Sequence, residues 1–105
     1  MYSGLKEIEY EALSEMLQGY LDKGETQRAL EYCEAVAQAG NPYGYMFMGF
    51  IYEEGHGVIE RDYKKALDCY EKANARGCDM QEDVVRVKEQ LNRIRRSIFM
   101  YCDDS

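Results

Sequence analysis

The pair Ala29-Leu30 returns as Ala66-Leu67, 37 residues further along the chain. At the same offset Glu31 meets Asp68, Glu34 meets Glu71 and Gly40 meets Gly77. Upstream, Leu17, Leu21 and Gly24 meet Met48, Tyr52 and Gly55 at an offset of 31. The six-residue difference between the offsets falls in the turn that contains Gly55, His56, Gly57 and Val58. Self-similarity at this period marks stacked supersecondary units whose loops absorb insertions. One such unit cannot bury its apolar face alone, so neighbours must stack. A chain of 105 residues has room for two units and one further helix as a single domain.

Apolar spacing predicts five helices. Over 5–22, Leu5, Ile8, Leu13, Met16, Leu17, Tyr20 and Leu21 recur at three and four, and Lys23-Gly24 ends the run. Over 26–39, Ala29, Leu30, Cys33, Val36 and Ala37 form one stripe that stops at Gly40. Asn41-Pro42 is a start signal, a capping side chain followed by Pro at the first helical position. The third helix, 42–54, is apolar nearly all round, so it is sandwiched between neighbours or offers apolar surface to a partner. Gly44 and Gly49 cost that helix roughly 1 kcal/mol each against Ala, a cost that close helix contact would offset.

The fourth helix, 61–76, carries Tyr63, Ala66, Leu67, Tyr70 and Ala73 on one face. The fifth, 80–101, starts with Asp79 and Glu82 spaced as a capping box. Val84, Val87, Leu91, Ile94 and Ile98 form its seam, with Arg86, Lys88, Arg93, Arg95 and Arg96 outside it. A charged outer face is what a terminal cap on an apolar stack needs. The expected fold is therefore all-α: a short α-solenoid of two antiparallel helix hairpins plus a C-terminal capping helix.

These residues carry a family resemblance. Gly44, Met48-Gly49, Tyr52, Gly55-x-Gly57-Val58, Asp62, Lys65-Ala66, Tyr70, Lys72-Ala73 and Gly77 resemble a Sel-1-like repeat, of the tetratricopeptide type. Ile59-Glu60-Arg61 adds one residue before Asp62, and Asn74 stands where the family often has Ala. The resemblance implies a Sel-1-like hairpin over 41–77, a tetratricopeptide-like hairpin over 5–40 and a capping helix over 79–101. It also implies adaptor or scaffold work, because such repeats present a rigid surface and not a reaction centre.

Composition narrows the function classes. With 13 basic and 20 acidic residues the net charge is −7, which argues against binding a phosphate backbone. The longest apolar run, Tyr43 to Tyr52, has ten residues, half of what spans a membrane. Lys6 is followed by Glu7, Glu9 and Glu11, unlike a secretory leader, and the expectation is a cytoplasmic protein. Cys33, Cys69, Cys78 and Cys102 lack the close pairing of a zinc site and read as free thiols. His56, the one histidine, has no nucleophile or second ligand spaced to serve it. Glu53-Glu54 reads as a solvated pair, since neighbours on a helix do not face each other. No catalytic residue, metal or cofactor is expected.

What remains is a binding surface. In the solenoid register the first helices of each pair line a groove. Its predicted partner-binding residues are Tyr43, Met46, Phe50 and Glu53 in the middle, Glu15 and Asp22 on one side, and Asp83 and Val87 on the other. Aromatic residues are favoured at interfaces, and acids select a basic partner. The expected function is a non-catalytic protein- or peptide-binding module for a basic segment. Two alternatives stand beside it: an immunity-type inhibitor of a basic protein, and a homodimer that buries the third helix.

Overall fold

The structure, a computed structural model, describes the backbone of residues 3–102 and the side chains of residues 4–97. Those residues form six helices: α1 (Ser3–Glu7), α2 (Tyr10–Asp22), α3 (Thr26–Gln38), α4 (Tyr43–Glu54), α5 (Tyr63–Ala75) and α6 (Gln81–Cys102). Helices α2 and α3 form one hairpin, α4 and α5 a second, and α6 packs on α5. The all-α stack expected from the repeat is present. The molecule is elongated, about 60 × 31 × 18 Å.

The helix expected over 5–22 is broken, with Ile8 and Glu9 outside both α1 and α2. The cause lies 33 residues away from the break. Asn41 Nδ2 donates to the carbonyls of Leu5 and Ile8 at 3.1 and 3.0 Å. In an unbroken helix the Leu5 carbonyl would accept from residue 9. Asn41 Oδ1 meanwhile accepts the Tyr43 N–H at 3.0 Å. One side chain, only 4% exposed, thus ends the N-terminal helix and caps α4.

The turn after α4 depends on its glycines. Gly55 and Gly57 have φ of 74° and 55°, values that side chains beyond glycine rarely adopt. Between them and Ile59 the backbone of His56 exchanges two hydrogen bonds with that of Ile59, at 2.9 and 2.8 Å. This tight loop leaves Val58 82% exposed at its tip. Asp62 then opens α5, its carboxylate accepting the Lys65 N–H at 3.0 Å. At the next turn Asn74 Oδ1 accepts the Met80 N–H at 2.9 Å, which gives the unusual Asn a task. Asp79 accepts the Gln81 N–H, but Glu82 makes no return bond among the described residues, so the expected capping box is half formed.

The core runs the length of the stack. Leu13, Cys33, Val36, Tyr70 and Val87 are fully enclosed, and each large apolar side chain so buried stabilises the fold by about 1.5–3 kcal/mol. The helical glycines sit at the closest approaches. A Cβ on Gly44 would lie 2.4 Å from the Cys33 carbonyl oxygen and 2.5 Å from the Ala37 nitrogen. One on Gly49 would lie 2.4 Å from the Tyr70 ring. Close contact therefore offsets the propensity cost of both residues, as their positions imply.

The expected cap is only partly a cap. Val84 and Val87 are buried, Leu91 is half-buried, and Ile94 is 44% exposed. The Ile98 side chain lies outside the described residues. Helix α6 has 22 residues against 13 in α5, so it outruns its neighbour by about 13 Å. Its first half seals the stack and its second half projects.

Candidate functional site

Helix α4 shows a different chemistry on each side. Gly44 abuts α3 and Gly49 abuts Tyr70 of α5. Tyr45, Met48 and Tyr52 floor one cleft; Phe47, Phe50, Ile51 and Glu54 line another. The second is the groove between α2 and α4, with a volume of about 560 Å³. Its other wall is Ser14, Leu17, Gln18, Leu21 and Asp22 of α2.

A ladder of rings runs along this side. Tyr10 meets Tyr43 edge-on at 5.9 Å and Phe47 at 5.2 Å between centroids. Phe47 meets Phe50 edge-on at 5.6 Å, and Phe50 meets Tyr70 at 5.7 Å. Such pairs prefer edge or offset geometry because the ring face is negative and its edge positive. The ladder gives the groove a stiff apolar wall at low entropic cost.

The far end of the groove is acidic. Asp22 and Glu54 close it, with Gln18 donating to Asp22 at 2.8 Å and His56 Nε2 set 3.1 Å from Glu54. Helices α2 and α4 together carry Glu11, Glu15, Asp22, Glu53 and Glu54 and no Lys or Arg. Helices α3 and α5 carry four cations and four carboxylates, a balanced set. Both groove helices end at this acidic mouth, so their C-terminal dipoles add to its negative potential.

Two of the expected rim acids are already engaged. Arg86 grips Glu53 with Nε on Oε2 and Nη2 on Oε1, both at 2.8 Å, and also reaches Asp83 at 2.7 Å. The Tyr70 hydroxyl donates to Glu53 at 2.7 Å. The Arg86 hydrogen bond, reinforced by Tyr70, holds the Glu53 carboxyl below its ordinary range although burial opposes it. Burial and the Glu53 carboxylate push the Tyr70 phenol upward. This network straps α4, α5 and α6 together. It corrects one expectation: Glu53 is not solvated. Arg86 is exposed on the outer face as expected, but it is paired there.

The expected partner-binding residues divide accordingly. Tyr43 and Phe50 are half-buried beside the groove, and Asp22 lines it. Met46 and Val87 are buried in the core and do not line the groove. Glu53 and Asp83 serve Arg86. Glu15 is exposed on α2 but does not line the groove. Leu17, Gln18, Phe47 and Glu54 were not among the expected groove residues, nor was Tyr10. Of the expected stripe 43, 46, 50 and 53 only Phe50 lines the groove, whose α4 side is Phe47, Phe50, Ile51 and Glu54. The two close-packed glycines carry the missing signal. They mark the sides of α4 that face α3 and α5, and the groove face lies between neither.

A second cleft, between α3 and α5, has a volume of about 570 Å³ and mixed charge. Lys65 sits 5.3 Å over the Tyr52 ring, and Lys72 and Arg76 sit 5.7 and 4.9 Å from the Tyr45 ring. Glu34 and Gln38 face them from α3.

Reactive chemistry has little support. Cys33, Cys69 and Cys78 are free thiols. Burial pushes Cys33 up to about 12 and Cys69 up to about 11, so both stay protonated and unreactive at neutral pH. Among the described residues no three His, Cys, Asp or Glu side chains are placed to hold a metal ion. No described helix is long and apolar enough to cross a membrane.

Comparison with known proteins adds one finding. No curated protein and no solved structure matches the chain. Residues 42–78 match the family model described as the Sel1 repeat. The match takes in α4, the glycine turn, α5 and the turn that leads to α6. These elements supply four of the five ladder rings and one wall of the groove. Over that stretch, about a third of the chain, the sequence is similar to a Sel1 repeat.

Proposed function

We propose that this chain is a non-catalytic interaction module, and that the groove between α2 and α4 takes a basic segment of a partner protein. The observation that carries this reading is the charge division between helices. Every titratable side chain that α2 and α4 contribute, tyrosines aside, is a carboxylate, while α3 and α5 are balanced. Half-buried Phe50, over a floor of buried Leu17 and Phe47, supplies apolar contact area, and Asp22 and Glu54 supply charge. Aromatic anchors give affinity, and the acidic field speeds encounter and rejects acidic competitors.

The α2 wall of the groove runs from Ser14 to Asp22, eight residues further on, about 12 Å. A ligand that fills it carries an apolar anchor and a cation within that distance. Fluorescence anisotropy with two labelled peptides tests this. One alternates Leu with Lys, the other Leu with Glu. The Lys peptide should bind the wild-type chain, and Asp22→Lys with Glu54→Lys should weaken it at least tenfold. Equal binding of both peptides, or no effect of the double substitution, would sink the proposal.

A further inference from the structure

We infer that the projecting end of α6 is itself a ligand for the α2–α4 groove, in a second copy of the chain. The inference rests on the groove reading above and names one occupant of that site.

Three observations meet here. After Glu89, residues 90–102 carry Arg93, Arg95 and Arg96 and no carboxylate; the next acids are Asp103 and Asp104. None of these arginines forms an ion pair among the described residues. Leu91 and Ile94 continue the apolar seam past the end of α5, where no helix covers Ile94. The end of α6 is therefore a helix with an apolar stripe and positive charge, the chemistry that the groove is built to accept. The groove offers apolar residues flanked by carboxylates, with two helix C-termini at its mouth.

One copy cannot satisfy both surfaces by itself. Helix α6 is continuous, packs on α5, and carries its basic end past the length of α5. The α2 wall of the groove lies at the opposite end of the α2–α3–α4–α5–α6 order. The inferred contact is one-way, the α6 end of one copy in the groove of the next, so it adds copies head to tail. Because the attraction is largely between exposed charges, salt weakens it.

Sedimentation velocity with two variants tests the inference. In the first, Arg93→Gln, Arg95→Gln and Arg96→Gln remove the charge of α6 and leave the groove intact. In the second, Asp22→Lys and Glu54→Lys reverse the groove and leave α6 intact. At low ionic strength the wild-type mass should rise with concentration beyond two chains. Each variant alone should remain a monomer with wild-type helicity by circular dichroism. Mixed together, they should form a complex of two chains and nothing larger, since one matched pair of surfaces remains. A wild-type chain that stays monomeric at every concentration overturns the inference. So does association that survives the arginine substitutions, or a mixture that stays monomeric. The Lys peptide should still bind the arginine variant. If it binds while the wild-type chain stays monomeric, the inference fails and the groove stands. If it binds no form of the chain, the groove reading fails with it.

Discussion

Arg86 holds Glu53 through two parallel hydrogen bonds of 2.8 Å, although 33 residues separate them in the chain. Bidentate guanidinium–carboxylate pairs are among the stronger polar contacts in proteins. This one fixes α6 to α4 and leaves Asp22 and Glu54 as the acids that line the groove. Glu53→Gln should destabilise the fold by about 1–3 kcal/mol, because Arg86 and Tyr70 lose a charged partner. The pH dependence follows from the depressed Glu53 carboxyl. Its contribution is full above the ordinary value of 4.5 and is lost as pH falls through the lower folded value. Thermal melts of wild type and Glu53→Gln should therefore differ most near neutrality and converge in acid. A difference that stays constant down to low pH would show that the carboxylate charge is not the cause.

The glycines of the helices should respond to Ala in opposite directions. Gly19 in α2 has nothing within 4 Å of a built Cβ, so Gly19→Ala should stabilise by about 0.5–1 kcal/mol. At Gly49 the new methyl meets the Tyr70 ring, and overpacking should cost about 1–3 kcal/mol. At Gly44 it meets the backbone of Cys33 and Ala37, which cannot rotate away, so the loss should be larger still. Denaturant midpoints rank the three variants. Stabilisation at Gly44 would mean that α3 and α4 are further apart than described here.

Asn41 does the work of two caps, and its substitutions should separate them. Asn41→Asp keeps an acceptor for the Tyr43 N–H but has no donor for the Leu5 and Ile8 carbonyls. Asn41→Ala loses both and should cost about 1–3 kcal/mol. Hydrogen exchange should show faster exchange in residues 3–9 for both variants, and loosening at the start of α4 for Ala alone. Equal exchange over 3–9 in wild type and Asp would refute the role assigned to the amide.

The thiols should react in order of burial. Cys78 is half-buried, whereas Cys33 and Cys69 are enclosed and held protonated by burial. Brief alkylation of the native chain, mapped by peptide mass, should label Cys78 well before Cys33 or Cys69. Early labelling of Cys33 would contradict the packing of α3 against α4.

Much of the fold is legible because its signals are local. The repeat offsets, the glycine stops and the Asn41-Pro42 start place α3, α4 and α5 within one or two residues. The break at Ile8 is not legible, since it is made by an amide 33 residues away. A cleft beside α4 is legible in the sequence, but which α4 residues line it is not. An all-apolar helix such as α4 has no polar face to orient it, so Met46 and Phe47 look equivalent until neighbouring helices distinguish them. Likewise, Glu53 and Arg86 read as exposed charges because nothing in their spacing shows that the chain brings them together.

Amide chemical-shift mapping with the Leu–Lys peptide shows whether partners bind between α2 and α4. Shifts confined to Leu17, Gln18, Asp22, Phe47, Phe50 and Glu54 and their neighbours are the expected result. Shifts concentrated on Tyr45, Tyr52, Lys65 and Lys72, in the cleft between α3 and α5, would contradict it.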